Sequence, residues 1–197
     1  NIQGTGEFRL NQYGKLEIEN TQGIMATGAT GAIQMSTRDY NYNNHNKGIF
    51  EYSGTSPQTI GTGLPNNTFR LILNKPSNTL TFDQTNKVIL DSLYLKSGNF
   101  THSASFTIQG NLRRLAGVGF AYTSTPTITF SGDSTQYIND ESVDSLRVYN
   151  VTLNKNSRNV ILEDNSPLDI VNQLSFPAAN KGIVYARKTG NYVIVRG

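Results

Sequence analysis

Short runs in which every second residue is apolar recur along almost the whole chain, and runs at helical spacing are nearly absent. Phe8 and Leu10 alternate in this way, as do Leu16 and Ile18, Ile33 and Met35, Phe50 and Tyr52, and Phe69, Leu71 and Leu73. Leu80 with Phe82 and Leu93 with Leu95 continue the pattern. A period of two places successive side chains on opposite faces, so each run reads as a half-buried β-strand. Gly, Asn, Ser, Asp and Pro fill the intervals; these are the residues that turn a chain. The fold class is therefore all-β.

The alternation also repeats at long range. Phe50-Glu51-Tyr52-Ser53-Gly54 aligns with Ile128-Thr129-Phe130-Ser131-Gly132. Gln58 then matches Gln136, and Ile60 matches Ile138. Phe69, Leu71 and Leu73 fall on Tyr149, Val151 and Leu153, each set followed by Asn-Lys at Asn74-Lys75 and Asn154-Lys155. Leu80 and Phe82 match Val160 and Leu162, and Leu93 and Leu95 match Leu174 and Phe176. The chain thus reads as one segment, residues 1–197, with diverged internal repeats at about 48–98 and 126–177. Core and turn positions explain every match except the polar pair Gln58 and Gln136.

A repeat near 80 residues with several short strands equals three or four coils of a β-solenoid. Stacked coils form inward ladders at about 4.8 Å spacing. The reading is a right-handed parallel β-helix; the alternative is an antiparallel β-sandwich, which the missing Asn-Gly and Asp-Gly hairpin pairs disfavour. Asn74 and Asn154 are the candidates for left-handed turn residues with stacked amides.

Composition fits a thin core. Only 36% of the 197 residues are hydrophobic and 16% charged, which suits an elongated stack better than a thick sphere. No cysteine is present, which excludes disulfides, thiolate metal sites and a cysteine nucleophile. The net charge of +3 comes from scattered Lys and Arg, without the basic, aromatic-interleaved run that nucleic-acid binding calls for. The Arg113-Arg114 pair reads as a solvated edge. No apolar run reaches the ~18 residues of a membrane-spanning helix. The chain opens at Asn1 and ends in VIVRG, and reads as a mature segment or a piece of a longer protein.

Several motifs occur in a telling order: GTGEF (Gly4 to Phe8), Gly23-Ile24, GAIQ (Gly31 to Gln34), YSGTSPQ (Tyr52 to Gln58), GTGLP (Gly61 to Pro65), FRLILNK (Phe69 to Lys75) and LYLKSG (Leu93 to Gly98). The set resembles the degenerate β-helix-like repeat of Bacteroidetes-type secreted and cell-surface proteins. It covers about half the chain well and the rest loosely; NDESVD (Asn139 to Asp144) replaces the Gly-Leu-Pro turn in the second copy. The resemblance implies an exported, adhesin-like protein using the type IX secretion route, located outside the cell or on its outer surface. It implies no catalytic residue.

The chemistry-bearing residues are sparse. His45 lies in a polar loop, and His102 shares an apolar face with Phe100, Ala104, Phe106 and Ile108; no triad pattern surrounds either. Asp140, Glu141 and Asp144, and Glu163, Asp164 and Asp169, form two acidic turns read as solvated. A calcium site there is a weaker reading that no ligand spacing supports, so no cofactor is expected. Thr123, Thr125, Thr127 and Thr129, and Thr101, Ser103, Ser105 and Thr107, are two Thr/Ser runs without a shared repeat register; in register they would suit ice or a crystalline polysaccharide. Tyr13, Tyr40, Tyr42 and Tyr122 are candidate platforms for a sugar ring, and the Asn-rich loop holding Tyr40, Tyr42 and His45 is the favoured ligand segment. Ser92 and Ser145 lie in Asp-Ser-Leu tripeptides suited to O-glycosylation.

The sequence therefore points to a non-catalytic structural or adhesive segment. Its expected partners are surface glycans, a neighbouring or host cell surface, and the secretion machinery in transit. A carbohydrate-binding or carbohydrate-cleaving β-helix is the alternative.

Overall fold

A computed structural model of the chain describes residues 1–41, 47–155, 158–163, 167–177, 182–187 and 189–197. The described residues form no helix, and every pairing between their strands is parallel. The chain is a parallel β-helix of about six coils. The first strands are β1 (Ile2–Gln3), β2 (Glu7–Arg9), β3 (Lys15–Ile18), β4 (Ile33–Gln34), β5 (Thr37–Asp39) and β6 (Ile49–Tyr52). The stack continues through β7 (Gln58–Thr59), β8 (Asn67–Phe82), β9 (Lys87–His102), β10 (Phe106–Ile108), β11 (Asn111–Arg114), β12 (Gly119–Tyr122) and β13 (Thr127–Gly132). It closes with β14 (Gln136–Asp140), β15 (Leu146–Lys155), β16 (Asn159–Leu162), β17 (Leu168–Ser175), β18 (Ile183–Ala186) and β19 (Val193–Val195).

Register sorts these strands onto three faces. The first face runs β3, β6, the middle of β8 and of β9, β11, β14, β16 and β18. The second holds β7, the ends of β8 and β9, and β12, then resumes in the first halves of β15 and β17 and in β19. The third holds the starts of β8 and β9, β10, β13, and the second halves of β15 and β17. β8 and β9 are long because each bends around corners from face to face.

Most of the alternating residues identified from the sequence line the interior; Phe8, Phe69 and Tyr149 are half-buried, and Phe176 is exposed. One row on the first face reads Leu16, Phe50, Leu71, Leu93, Leu112, Ile138 and Leu162, each paired with the next, and ends in the last coil at the exposed Ala186. On the third face Ile89, Ile108, Phe130 and Leu153 do the same. Full burial of each such side chain stabilises the fold by about 1.5–3 kcal/mol before entropy is counted. A continuous row seals one coil against the next.

Glycine permits the closest coil contacts. Gly61 has φ +82°, and a Cβ there would meet Ile24 O at 2.3 Å. The Gly-Ile step at 23–24 therefore lies directly against the Gly-x-Gly-Leu-Pro turn at 61–65, with Ile24 N donating to Ile60 O. Among the described residues, left-handed positions without glycine fall at Tyr13, Asn78, Asn86 and Ser124, not at Asn74 or Asn154. Asn74 instead donates to Glu51 Oε1 at 2.6 Å and accepts from Ser97 Oγ at 3.3 Å.

The two copies of the long repeat occupy different faces. Phe50 is on the first face, whereas Ile128 is on the third. From Phe50 the first face is met again at Leu71, Leu93 and Leu112, and Ile128 comes two faces after Leu112. The interval is three coils and two thirds of a fourth. What recurs is a corner with its flanking strands, not a set of whole coils.

Candidate functional site

The unexplained glutamines are the centre of that recurring corner. Gln58 Nε2 donates to Ile18 O and Asn20 O, both at 2.9 Å, in the preceding coil. Its Oε1 accepts from Gly54 N at 3.1 Å and from Lys75 Nζ, in the next coil, at 2.6 Å. Lys75 also donates to Ser56 O at 2.8 Å and to Gly54 O. In the second copy Gln136 Nε2 donates to Ile108 O and Gly110 O, and Lys155 Nζ donates to Gln136 Oε1, Ser134 O and Ser131 O at 2.8, 2.6 and 3.1 Å. A glycine covers each lysine: a Cβ at Gly98 would meet Lys75 Cβ at 2.9 Å, and one at Gly182 would meet Lys155 Cβ at 2.7 Å. All four polar side chains are buried. Burial lowers the pKa of Lys75, and that of Lys155 to about 8, with Asp133 opposing the shift of Lys155. These groups staple three coils together and are architectural.

The acidic turns differ from the solvated reading. Arg114 and Asp140 are both buried and directly opposed in the ladder, with Nε–Oδ1 at 2.7 Å and Nη2–Oδ2 at 2.6 Å. Arg114 also donates to Asp144 O at 2.6 Å, fixing the turn that follows. Arg113, one residue earlier, points outward and meets the exposed Glu141 at 2.9 Å. The pair is thus one buried cation and one surface cation. Asp169 is likewise buried and held by Arg196 at 2.8 Å, and Glu163 meets Arg187 at 2.6 Å. Asp164 lies outside the described residues. Among the described residues no three His, Asp or Glu converge as a metal site.

The proposed ligand loop is only partly described: Tyr42 and His45 lie outside the described residues. Tyr40 is half-buried, its ring 5.8 Å from Phe8 and 5.7 Å from Phe50. Desolvation raises its pKa, with Arg38 opposing. It packs on the core and offers no open platform. Tyr13 is the exposed ring, edge-on to Phe69 at 5.7 Å with Lys47 Nζ 3.2 Å from its hydroxyl. Ser92 is half-buried and donates to Asp91 Oδ2 at 3.0 Å, a carboxylate also held by Arg70. Ser145 sits on the rim of a groove described below.

The threonines form a ladder that their spacing in sequence concealed. Thr107 pairs with Thr129, Thr129 with Thr152, and Thr152 with Ser175, all outward on the third face. Beside them Thr127, Asn150 and Gln173 form a second row. The two runs that lacked a shared repeat register therefore meet at Thr107 and Thr129, while Thr101 stands on the second face over Thr81. Phe100, His102 and Phe106 are also split, since β9 ends at His102 and β10 starts beyond a corner.

The second face contains a breach. β12 pairs with β9 but makes no ladder with the following strand, β15. Residues 141–145 separate β14 from β15 at this point. Phe120 and Tyr122 occupy inward positions above Phe100 and His102 yet are half-exposed. A groove of about 380 Å³ opens there. Behind it His102 is fully buried, with rings of Phe106 and Phe120 each 5.5 Å away and that of Tyr122 at 6.3 Å. Neither ring nitrogen has a hydrogen-bond partner among the described residues. Burial lowers the pKa of His102 to about 4; the Ala104 backbone lies near enough to oppose this slightly without a well-formed hydrogen bond.

No family model, curated protein or solved structure matches this chain.

Proposed function

We propose that this chain is a non-catalytic structural and adhesive segment of an extracellular bacterial surface protein, engaging carbohydrate-bearing surfaces. The observation that carries the reading is the in-register ladder Thr107, Thr129, Thr152 and Ser175 with its neighbours Thr127, Asn150 and Gln173. None of the seven is charged. Their hydroxyl and amide groups repeat at about the 4.8 Å coil spacing on a rigid sheet. A surface with repeating hydroxyls can be met at many points at once, so weak contacts add by avidity. The stapled corners support the spacer role, because they hold successive coils in fixed register. The extracellular location and the type IX route rest on the motif resemblance.

The test is adsorption to insoluble cellulose, chitin and mannan, run beside a glycan array and a hydrolase and lyase screen. Retention that falls when Thr107, Thr129 and Thr152 are together replaced by Lys is expected. Turnover of any polysaccharide overturns the non-catalytic reading, and absence of retention on every surface and glycan overturns the adhesive one.

A further inference from the structure

Tyr13 holds an exposed ring in a backbone conformation that favours glycine. Gly14 N donates to Asn11 O at 2.8 Å, so residues 11–14 form a tight turn with Tyr13 in its third position at φ +58°. Positive φ there suits Gly or Asn, and a bulky side chain carries a steric cost. The ring is 55% exposed and meets Phe69 edge-on at 5.7 Å, so burial offsets only part of that cost. Strain of this kind clusters at ligand-binding positions.

Register brings a cation to the same place. Lys15, Ile49 and Arg70 are ladder partners in successive coils, and Tyr13, Lys47 and Phe69 lie one or two residues before them, at one corner of the stack. Tyr13 N donates to Lys47 O at 3.1 Å, which ties the turn to the next coil. Lys47 Nζ stands 3.2 Å from the Tyr13 hydroxyl and 5.1 Å from its ring centre. Among the described residues this ammonium meets no carboxylate, and the sequence holds no acidic residue between Asp39 and Glu51. Glu51 is itself engaged by Lys15 at 2.9 Å and by Asn74 at 2.6 Å. Arg70, 5.8 Å from the Phe69 ring centre, is held by Asp91 at 2.6 Å. The open charge of the corner is therefore that of Lys47.

An exposed aromatic ring takes the C–H face of a pyranose, and an ammonium beside it takes an anion. A uronic acid carries both features on one unit, because its carboxylate is attached directly to the sugar ring. We propose that the corner at Tyr13, Lys47 and Phe69 binds a uronic acid unit of an acidic polysaccharide. The sugar stacks on Tyr13, which Phe69 supports from its edge, and the carboxylate pairs with Lys47. This rests on the carbohydrate-engaging reading above and adds selection by charge, which the uncharged ladder of the third face cannot supply.

The experiment is titration of isotope-labelled protein with methyl glucuronide, methyl galacturonide, methyl glucoside and sodium acetate, followed by amide NMR shifts. At least one uronide is expected to shift residues 12–14, 47–49 and 69–70, and to bind at least tenfold more tightly than the glucoside or acetate. Added salt should weaken it. Tyr13→Asn removes the ring but keeps a residue that tolerates the left-handed turn, and Lys47→Gln removes the charge. Each is expected to weaken the uronide tenfold or more, with the urea midpoint of Tyr13→Asn at or above that of the wild type. Tyr13→Phe keeps the ring and should stay within threefold of wild-type affinity. Failure of both uronides to shift the corner overturns the proposal. So does a glucoside or acetate that binds equally well, or uronide binding that survives either Tyr13→Asn or Lys47→Gln. A urea midpoint that falls in Tyr13→Asn makes the ring a packing element and counts against the site. Retention on cellulose is expected to be unchanged in Tyr13→Asn, so loss of this site and loss of the adhesive reading are read separately.

Discussion

Lys75 Nζ lies 2.6 Å from Gln58 Oε1 in a corner where neither side chain meets solvent. The ammonium has backbone carbonyls for its other partners and no carboxylate. Removing one member leaves the other buried with an unmet charge or amide. Lys75→Met and Gln58→Leu are each expected to cost about 2–4 kcal/mol. The double variant should recover part of the loss, with a coupling of about 1–3 kcal/mol. Urea melts of the four proteins measure it. Additive losses would mean that the two side chains act separately, and Lys155 with Gln136 should repeat the result.

A second contrast is built into adjacent residues. Arg114 and Asp140 are buried partners, whereas Arg113 and Glu141 are exposed partners. Asp140→Ala strands a buried guanidinium and is expected to cost about 3–5 kcal/mol. Glu141→Ala should cost at most about 1 kcal/mol, and less in high salt. Thermal melts at two salt concentrations distinguish them; equal losses would contradict the burial difference.

Strands, coils and the inward side chains were legible because period two survives in one strand read alone. The stapled corner was visible only as a match, Gln58 with Gln136, since its partners lie in the coils before and after. Register between coils was hidden, because first-face coils between Phe50 and Leu162 vary from 19 to 26 residues. That variation concealed the pairing of Thr107 with Thr129 and of Arg114 with Asp140. Asn74 was misread because Asn suits left-handed turns in general, while here a buried Glu51 claims its amide.

Glycine positions give a graded backbone test. Gly61 and Gly117 both have positive φ, +82° and +77°. A Cβ at Gly61 would meet Ile24 O at 2.3 Å and Ile24 N at 2.5 Å, whereas nothing lies within 4 Å of one at Gly117. Gly117→Ala should lose about 1–2 kcal/mol, the left-handed penalty alone. Gly61→Ala adds a clash with backbone and should lose more than about 3 kcal/mol or fail to fold. Chemical denaturation, with circular dichroism as the fold check, ranks the two; similar losses would show that the coil contact at Ile24 yields easily.

His102 makes the fold acid-sensitive. Its folded pKa is lowered to about 4 from an ordinary 6.5 by burial among Phe100, Phe106, Phe120 and Tyr122. The nearby titratable groups are Tyr122, its ring 6.3 Å from that of His102, and Asp83, one residue past the ladder partner Phe82. Between pH 6.5 and 4 the unfolded chain binds a proton that the folded chain refuses. Stability is therefore whole above pH 6.5 and falls as the pH drops towards 4. The full shift corresponds to about 3 kcal/mol. Carboxylates add their own slope below pH 5, so the test is a difference. Folding free energies of the wild type and His102→Phe, measured from pH 7.5 to 4, should diverge on acidification, with the variant losing less. Parallel curves would mean that the imidazole reaches water, and so a proton, without opening the coil.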